Sequence, residues 1–139
     1  MKIGFTCGSF DLCHAGHVLM FQDCKKHCDW LIVGLQSDPS IDRPEKHRPV
    51  MTVMERLTLL ENIRGVDEVF IYNTEADLLE YLKQHEHRID VRFLGADWMG
   101  KPFTGHELSI NVMYNDRSHG YSTSELRQRV VNAEKSQRE

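Results

Sequence analysis

Apolar runs of strand length alternate with stretches of helical periodicity along the whole chain, and that alternation predicts an α/β domain with a largely parallel sheet. The first run covers residues 2–6, and a glycine-bearing loop over 7–16 leads into a helix over about 17–27. Residues 30–35 form the second run, where Leu31, Ile32 and Val33 are continuous rather than alternating, as in a strand covered on both faces. Pro39, Pro44 and Pro49, set among Asp42, Arg43, Glu45, Lys46, His47 and Arg48, exclude a continuous helix or central strand over 37–50 and leave a mobile, cation-bearing loop. Thr52 with Glu55 is a capping box for a helix that carries Val53, Leu57 and Leu60 at helical spacing and stops at Gly65. A third strand is expected over 68–72, a helix built on Leu78, Leu79 and Leu82 over 75–84, and a fourth strand over 91–94. A short fifth strand over 111–114 completes the sheet, and Ser122 with Glu125 opens the last helix after a turn at 117–120.

At 139 residues the chain has the size of one domain. That domain is expected over 1–131, followed by a polar tail at 132–139 without apolar periodicity. A net charge of −4 argues against a nucleic-acid partner, because such surfaces usually neutralise several phosphates; any anionic ligand must be held by local cations. No apolar run reaches the length of a membrane span and no secretory segment precedes the first strand, so a cytoplasmic protein with no membrane partner is expected. Cys7, Cys13, Cys24 and Cys28 lie near His14, His17 and His27, but no Cys-x-x-Cys pair occurs, and reduced cysteines are commonly small buried hydrophobes. No metal site in the protein is expected.

In open α/β sheets, ligands bind beyond the carboxyl ends of the strands. The first such loop, Cys7-Gly8-Ser9-Phe10-Asp11-Leu12-Cys13-His14-Ala15-Gly16-His17, puts small residues and two histidines at the start of a helix. A helix N-terminus attracts anions through its free N–H groups, and glycines let a phosphate approach the backbone. His14 and His17 are spaced to face one ligand, each donating to a phosphoryl oxygen and stabilising the charge that builds up in transfer.

Gly8-Ser9-Phe10-Asp11-Leu12 followed by His14-Ala15-Gly16-His17 resembles the first motif of the cytidylyltransferase family, whose superfamily also holds adenylyltransferases. Arg117-Ser118-His119-Gly120-Tyr121-Ser122-Thr123-Ser124 is similar to the Arg-Thr-x-Gly-Ile-Ser-Thr-Thr segment of enzymes that make CDP-alcohols, with Ser118 and Tyr121 departing from it. Gly95-Ala96-Asp97-Trp98 with Gly100-Lys101 resembles a segment of the bacterial glycerol-3-phosphate cytidylyltransferases, as do Arg56, Arg64 and the Val66-Asp67-Glu68-Val69 stretch. The resemblance implies a Rossmann-like three-layer α/β/α domain with a mostly parallel five-stranded sheet. It further implies transfer of CMP from CTP, with Mg²⁺, to a small phosphorylated alcohol, giving CDP-glycerol and pyrophosphate when the acceptor is glycerol 3-phosphate.

In that reading His14, His17, Lys46 and Arg117 are the catalytic residues, Lys46 closing from the mobile loop. The nucleotide would be held by Thr6, Gly8, Ser9, Phe10 and Gly16, by Gly95 and Asp97, and by Gly120, Tyr121, Ser122 and Thr123, with Arg64 as a further phosphate contact. Asp11, Arg56, Asp97 and Trp98 are the expected acceptor contacts. An acceptor phosphate, with a second pKa near ~6, is already a nucleophile at neutral pH, which accounts for the lack of a catalytic triad. A homodimer is expected by the same resemblance. Phosphocholine, phosphoethanolamine, other polyol or sugar phosphates, ATP in place of CTP, and a silent nucleotide-binding protein remain the alternatives.

Overall fold

A computed structural model of the chain describes residues 1–116 and 118–138. Five strands, β1 (Ile3–Gly8), β2 (Trp30–Gln36), β3 (Glu68–Tyr72), β4 (Val91–Gly95) and β5 (Asn111–Asn115), form one sheet in the order β3-β2-β1-β4-β5. Every pairing in it is parallel. Helices α1 (Ala15–Lys25), α2 (Val53–Glu61) and α3 (Glu75–His85) connect the strands, a single 3-10 turn (Ala96–Trp98) follows β4, and α4 (Thr123–Arg138) ends the chain.

The central strands β1, β2 and β4 are covered on both faces, and their side chains sort by the two-residue period of a strand. Leu31, Val33, Leu35, Val91 and Phe93 pack with Phe21, Cys24 and Leu60 from α1 and α2. Phe5 and Ile32 point the other way, against Leu78 and Leu82 of α3. The three-layer arrangement and the parallel five-stranded sheet agree with the sequence expectation.

Strand order reverses at β1, because the chain builds outward to β3 and then crosses back to lay β4 on the opposite side. Ligand sites in such sheets form at this switch point. Here β1 and β4 pair only at Gly4↔Val91 and Phe5↔Arg92, although β1 continues to Gly8 and β4 to Gly95. The two strand ends therefore splay, and the gap between them is the opening on which the site is built.

Helix limits differ from the sequence reading at two ends. α1 starts at Ala15 rather than 17 because His14, not a usual capping residue, supplies the cap. α2 stops at Glu61, ahead of Gly65, where Asn62 leaves helical geometry with φ −110°. α4 continues to Arg138, so the polar stretch from 132 onward is its last part. Among the described residues no helix is long and apolar enough to cross a membrane.

Candidate functional site

Helix α1 begins beneath the splayed strand ends, and its cap fixes the two histidines of the first loop. The backbone N–H of Gly16 donates to His14 Nδ1 at 3.0 Å, and that of His14 donates to His17 Nδ1 at 3.2 Å. A ring nitrogen that accepts carries no proton, so each imidazole in its neutral form holds its proton on Nε2. Both rings thus present an N–H donor, their centroids 4.1 Å apart and their planes tilted by 36°, and His14 Nε2 stands 3.2 Å from Thr123 Oγ1 at the start of α4. Gly16 allows this closeness: a Cβ there would sit 2.7 Å from His14 Cε1 and 2.9 Å from Tyr121 Cβ.

These residues line a pocket of about 260 Å³ that also includes Thr6, Gly8, Ser9, Phe10, Gly95, Asp97, Tyr121, Ser122 and Thr123. A loop-and-helix cradle with two N–H-bearing rings suits a polyphosphate. Among the described residues no group of three or more His, Cys, Asp or Glu is arranged to hold a metal ion. Burial pushes all four thiols up, Cys24 to about 12, so they are poor ligands and nucleophiles.

Across the β1–β4 gap, on the α3 side, lies a larger cleft of about 750 Å³. It shares Cys7, Gly8, Ser9, Leu94 and Trp98 with the smaller pocket, so the two cavities meet at the end of β1. Lys46 and Arg43 reach it from the 37–50 loop, and the segment from Pro102 to Glu107 closes its far side. Glu75, at the start of α3, accepts from Thr104 Oγ1 at 2.9 Å and pairs with Arg43 at 3.2 Å, tying both walls together.

Arg92 forms the inner wall of that cleft and is only 4 % exposed. Its Nη1 donates to the carbonyl of Thr104, its Nη2 faces Cys7 Sγ at 3.8 Å, and its Nε has no partner. The Phe103 ring lies 4.8 Å from the guanidinium carbon. Taking a cation out of water costs several kcal/mol, of which a desolvated cation–π contact returns about 2 kcal/mol or more. Among the described residues no carboxylate lies within ion-pair distance of Arg92.

Two further buried groups hold the loops around both cavities. Arg56, 2 % exposed, donates to the carbonyls of Ser9, Gln36, Ser37 and Met51. It therefore pins the ends of β1 and β2 and the exit of the 37–50 loop to one point. Asp11 accepts from the backbone N–H groups of Val50 and Met51 and from Arg127 of α4 at 2.7 Å. Burial alone would raise its carboxyl pKa, but these donors outweigh it and hold the group below the ordinary range. They also secure a strained turn, because Phe10 and Leu12 on either side both have φ of 50°.

Most of the residues singled out in the sequence thus converge. Thr6, Gly8, Ser9, Phe10, His14, Gly16, His17, Gly95, Asp97, Tyr121, Ser122 and Thr123 share the smaller pocket, and Trp98 stands at its boundary with the cleft. Lys46 faces the larger cleft, while Asp11 and Arg56 lie behind the loops with their polar atoms on protein partners. Gly120, with φ +78°, shapes the turn before α4 without lining either cavity. Arg64 is exposed in the turn that links α2 to β3 and lines neither cavity. Arg117 lies outside the described residues. Sequence reasoning did not single out Arg92, Glu75, Thr104 or Arg127; a charged residue inside the apolar run Val91-Arg92-Phe93-Leu94 was the one available signal.

Comparison with known proteins gives a consistent picture. Residues 5–129 match the family model described as cytidylyltransferase-like. The chain is 36 % identical over 132 residues to the bifunctional protein HldE of Helicobacter pylori strain Shi470, covering 93 % of this chain and 27 % of that protein. HldE of Caulobacter vibrioides is 35 % identical over 131 residues, with 91 % of this chain and 26 % of the relative covered. The chain thus spans about a quarter of the length of these curated relatives. Among solved structures, a lipopolysaccharide core biosynthesis protein from Thermoplasma volcanium superposes with a TM-score of 0.67 at 25 % identity, covering 84 % of this chain and 97 % of the other. A bifunctional NMN adenylyltransferase/ADP ribose pyrophosphatase from Francisella tularensis, complexed with AMP and a manganese ion, shares the fold with a TM-score of 0.59 at 16 % identity, over 94 % of this chain and 42 % of the other.

Proposed function

We propose, from the premise that this chain belongs to the cytidylyltransferase-like family of nucleotidyltransferases, that it transfers a nucleoside monophosphate from CTP to a small phosphorylated alcohol, with release of pyrophosphate. The observation that carries the reading is the shared wall of Cys7, Gly8, Ser9 and Trp98, which sets a polyphosphate pocket against a second cleft of substrate size. The triphosphate would lie over the Nε2–H donors of His14 and His17 and the start of α4, with Mg²⁺ arriving on the nucleotide and offsetting part of its charge. An oxygen of the acceptor phosphate attacks the α-phosphorus, the bond to the bridging β-phosphate oxygen breaks, and pyrophosphate leaves. No proton need be removed from the acceptor, so the protein's part is alignment and stabilisation of the charge on the leaving group.

Lys46 would swing from the 37–50 loop onto the phosphates, and Arg117 and Arg64 remain proposed phosphate contacts by family resemblance. CTP is preferred because the segment from Arg117 to Ser124, apart from Ser118 and Tyr121, is similar to that of enzymes that make CDP-alcohols. Glycerol 3-phosphate is the simplest acceptor. A sugar phosphate is the second reading, favoured by a cleft of about 750 Å³ and by the likeness to a lipopolysaccharide core biosynthesis protein. The enzyme is taken to act in the cytoplasm as a homodimer, which light scattering would check.

Pyrophosphate release with CTP or ATP against a panel of polyol, sugar and amino-alcohol phosphates tests the proposal. Turnover with CTP and a polyol or sugar phosphate upholds it. A preference for ATP overturns the nucleotide assignment, and silence with every pair overturns the transferase reading.

A further inference from the structure

The larger cleft ends on a buried guanidinium that the transfer chemistry does not use. We infer that the acceptor carries a second anionic group, a carboxylate or another phosphate, remote from the attacking phosphate, and that Arg92 recognises it. The inference rests on the transfer reading above and names the class of acceptor within it.

Three observations support it. Arg92 is 4 % exposed, and among the described residues it has no carboxylate partner and an Nε with no acceptor. The η nitrogens, held only by the Thr104 carbonyl and a thiol, form the edge an anion in the cleft would meet. The neighbouring carboxylate, Glu75, is already engaged by Arg43 and Thr104 and does not neutralise Arg92. Finally, Arg92 lies two positions before Leu94, where cleft and pocket meet. At about 3.3 Å per strand residue that is roughly 7 Å deeper than the transfer point, the reach of a three- or four-carbon acceptor.

The test is steady-state pyrophosphate release with glycerol 3-phosphate, 3-phosphoglycerate and fructose 1,6-bisphosphate as acceptors, for the native protein, Arg92→Met and Arg92→Lys. The expected result is a kcat/KM at least about 10-fold higher for a doubly acidic acceptor than for glycerol 3-phosphate. Whether 3-phosphoglycerate or fructose 1,6-bisphosphate leads tells a carboxylate from a second phosphate. Arg92→Met should abolish the preference, raising KM for the doubly acidic acceptors at least about 10-fold more than for glycerol 3-phosphate, and Arg92→Lys should keep part of it. Equal use of all three acceptors by the native protein, or an equal loss on all three in the variant, overturns the inference and leaves Arg92 as a brace for the Thr104 segment. If Arg92→Met does not fold, as judged by thermal melting, Arg92→Lys carries the comparison. If no acceptor turns over, the transfer reading fails by itself, and calorimetry with 3-phosphoglycerate and no nucleotide decides the rest. Binding that Arg92→Lys weakens upholds the anion subsite; no binding overturns it.

Discussion

The two cavities flanking the β1–β4 gap are made by different means. The histidine side of the smaller pocket is built locally: His14 and His17 are fixed by hydrogen bonds to backbone groups within three residues, and only the Thr123 hydroxyl beside them comes from the first residue of another helix. The larger cleft is built from afar, its walls brought together by Glu75, Arg43, Thr104 and Arg92 from separate stretches of chain.

The comparison is broken most severely from the pocket side. In the proposed transfer His17→Ala removes an N–H donor to the phosphates, and it should lower kcat by about 10²–10³ with little change in acceptor KM, measured by single-turnover pyrophosphate release. His14→Ala should match that loss and also melt earlier, because it deletes the cap of α1, worth about 1 kcal/mol. If either change moved only the acceptor KM, the division between pocket and cleft would not hold.

Arg56→Met strikes the support common to both. It leaves four carbonyls without their donor, and each buried unsatisfied group costs about 1–3 kcal/mol, so a loss of roughly 3 kcal/mol or more is expected in urea denaturation. Retention of full stability would show that water replaces the guanidinium and that the loops do not depend on it.

The same contrast explains what could be read in the sequence. Strand and helix alternation gave the parallel sheet, because runs such as Leu31-Ile32-Val33 and the capping box Thr52-x-x-Glu55 are written in consecutive residues. The histidine side of the pocket was legible for the same reason, since His14, Gly16 and His17 lie within one short stretch with Gly8 and Ser9. The start of α1 was missed because histidine is a rare cap, and the true end of α2 because Gly65 serves the turn beyond the helix. The cleft was largely illegible. Nothing near Arg92 in the chain announces that residues 102–107 will fold over it, and a helical arginine such as Arg56 looks solvated until the loops that bury it are in place.

A milder effect is expected from Lys46→Ala. Lys46 is exposed, so stability should stay within about 0.5 kcal/mol. Its loss should lower kcat/KM by about 10-fold or more, through one charge-assisted phosphate contact, and flatten the dependence of the rate on salt. An unchanged rate would place the 37–50 loop with the cleft alone and remove Lys46 from the transfer step.

The smallest effect appears only in acid and concerns Asp11, which clamps the loops behind the two cavities. Asp11 has a folded pKa below its unfolded value because the Val50 and Met51 N–H groups and Arg127 favour the carboxylate more than burial disfavours it. A depressed carboxylate pKa contributes stability that is fully present above the unfolded value of about 3.9 and is lost as pH falls through the folded value. Denaturation midpoints should therefore hold steady from neutral pH to about 5 and decline below about 4, with release of the 37–50 loop preceding global unfolding. Asp11→Asn should flatten that acid decline at the cost of a lower midpoint at pH 7, since the amide keeps one acceptor but loses the ion pair to Arg127. If native protein and variant declined in parallel through the acid range, the clamp that joins the motif loop, the 37–50 loop and α4 would contribute nothing through its charge.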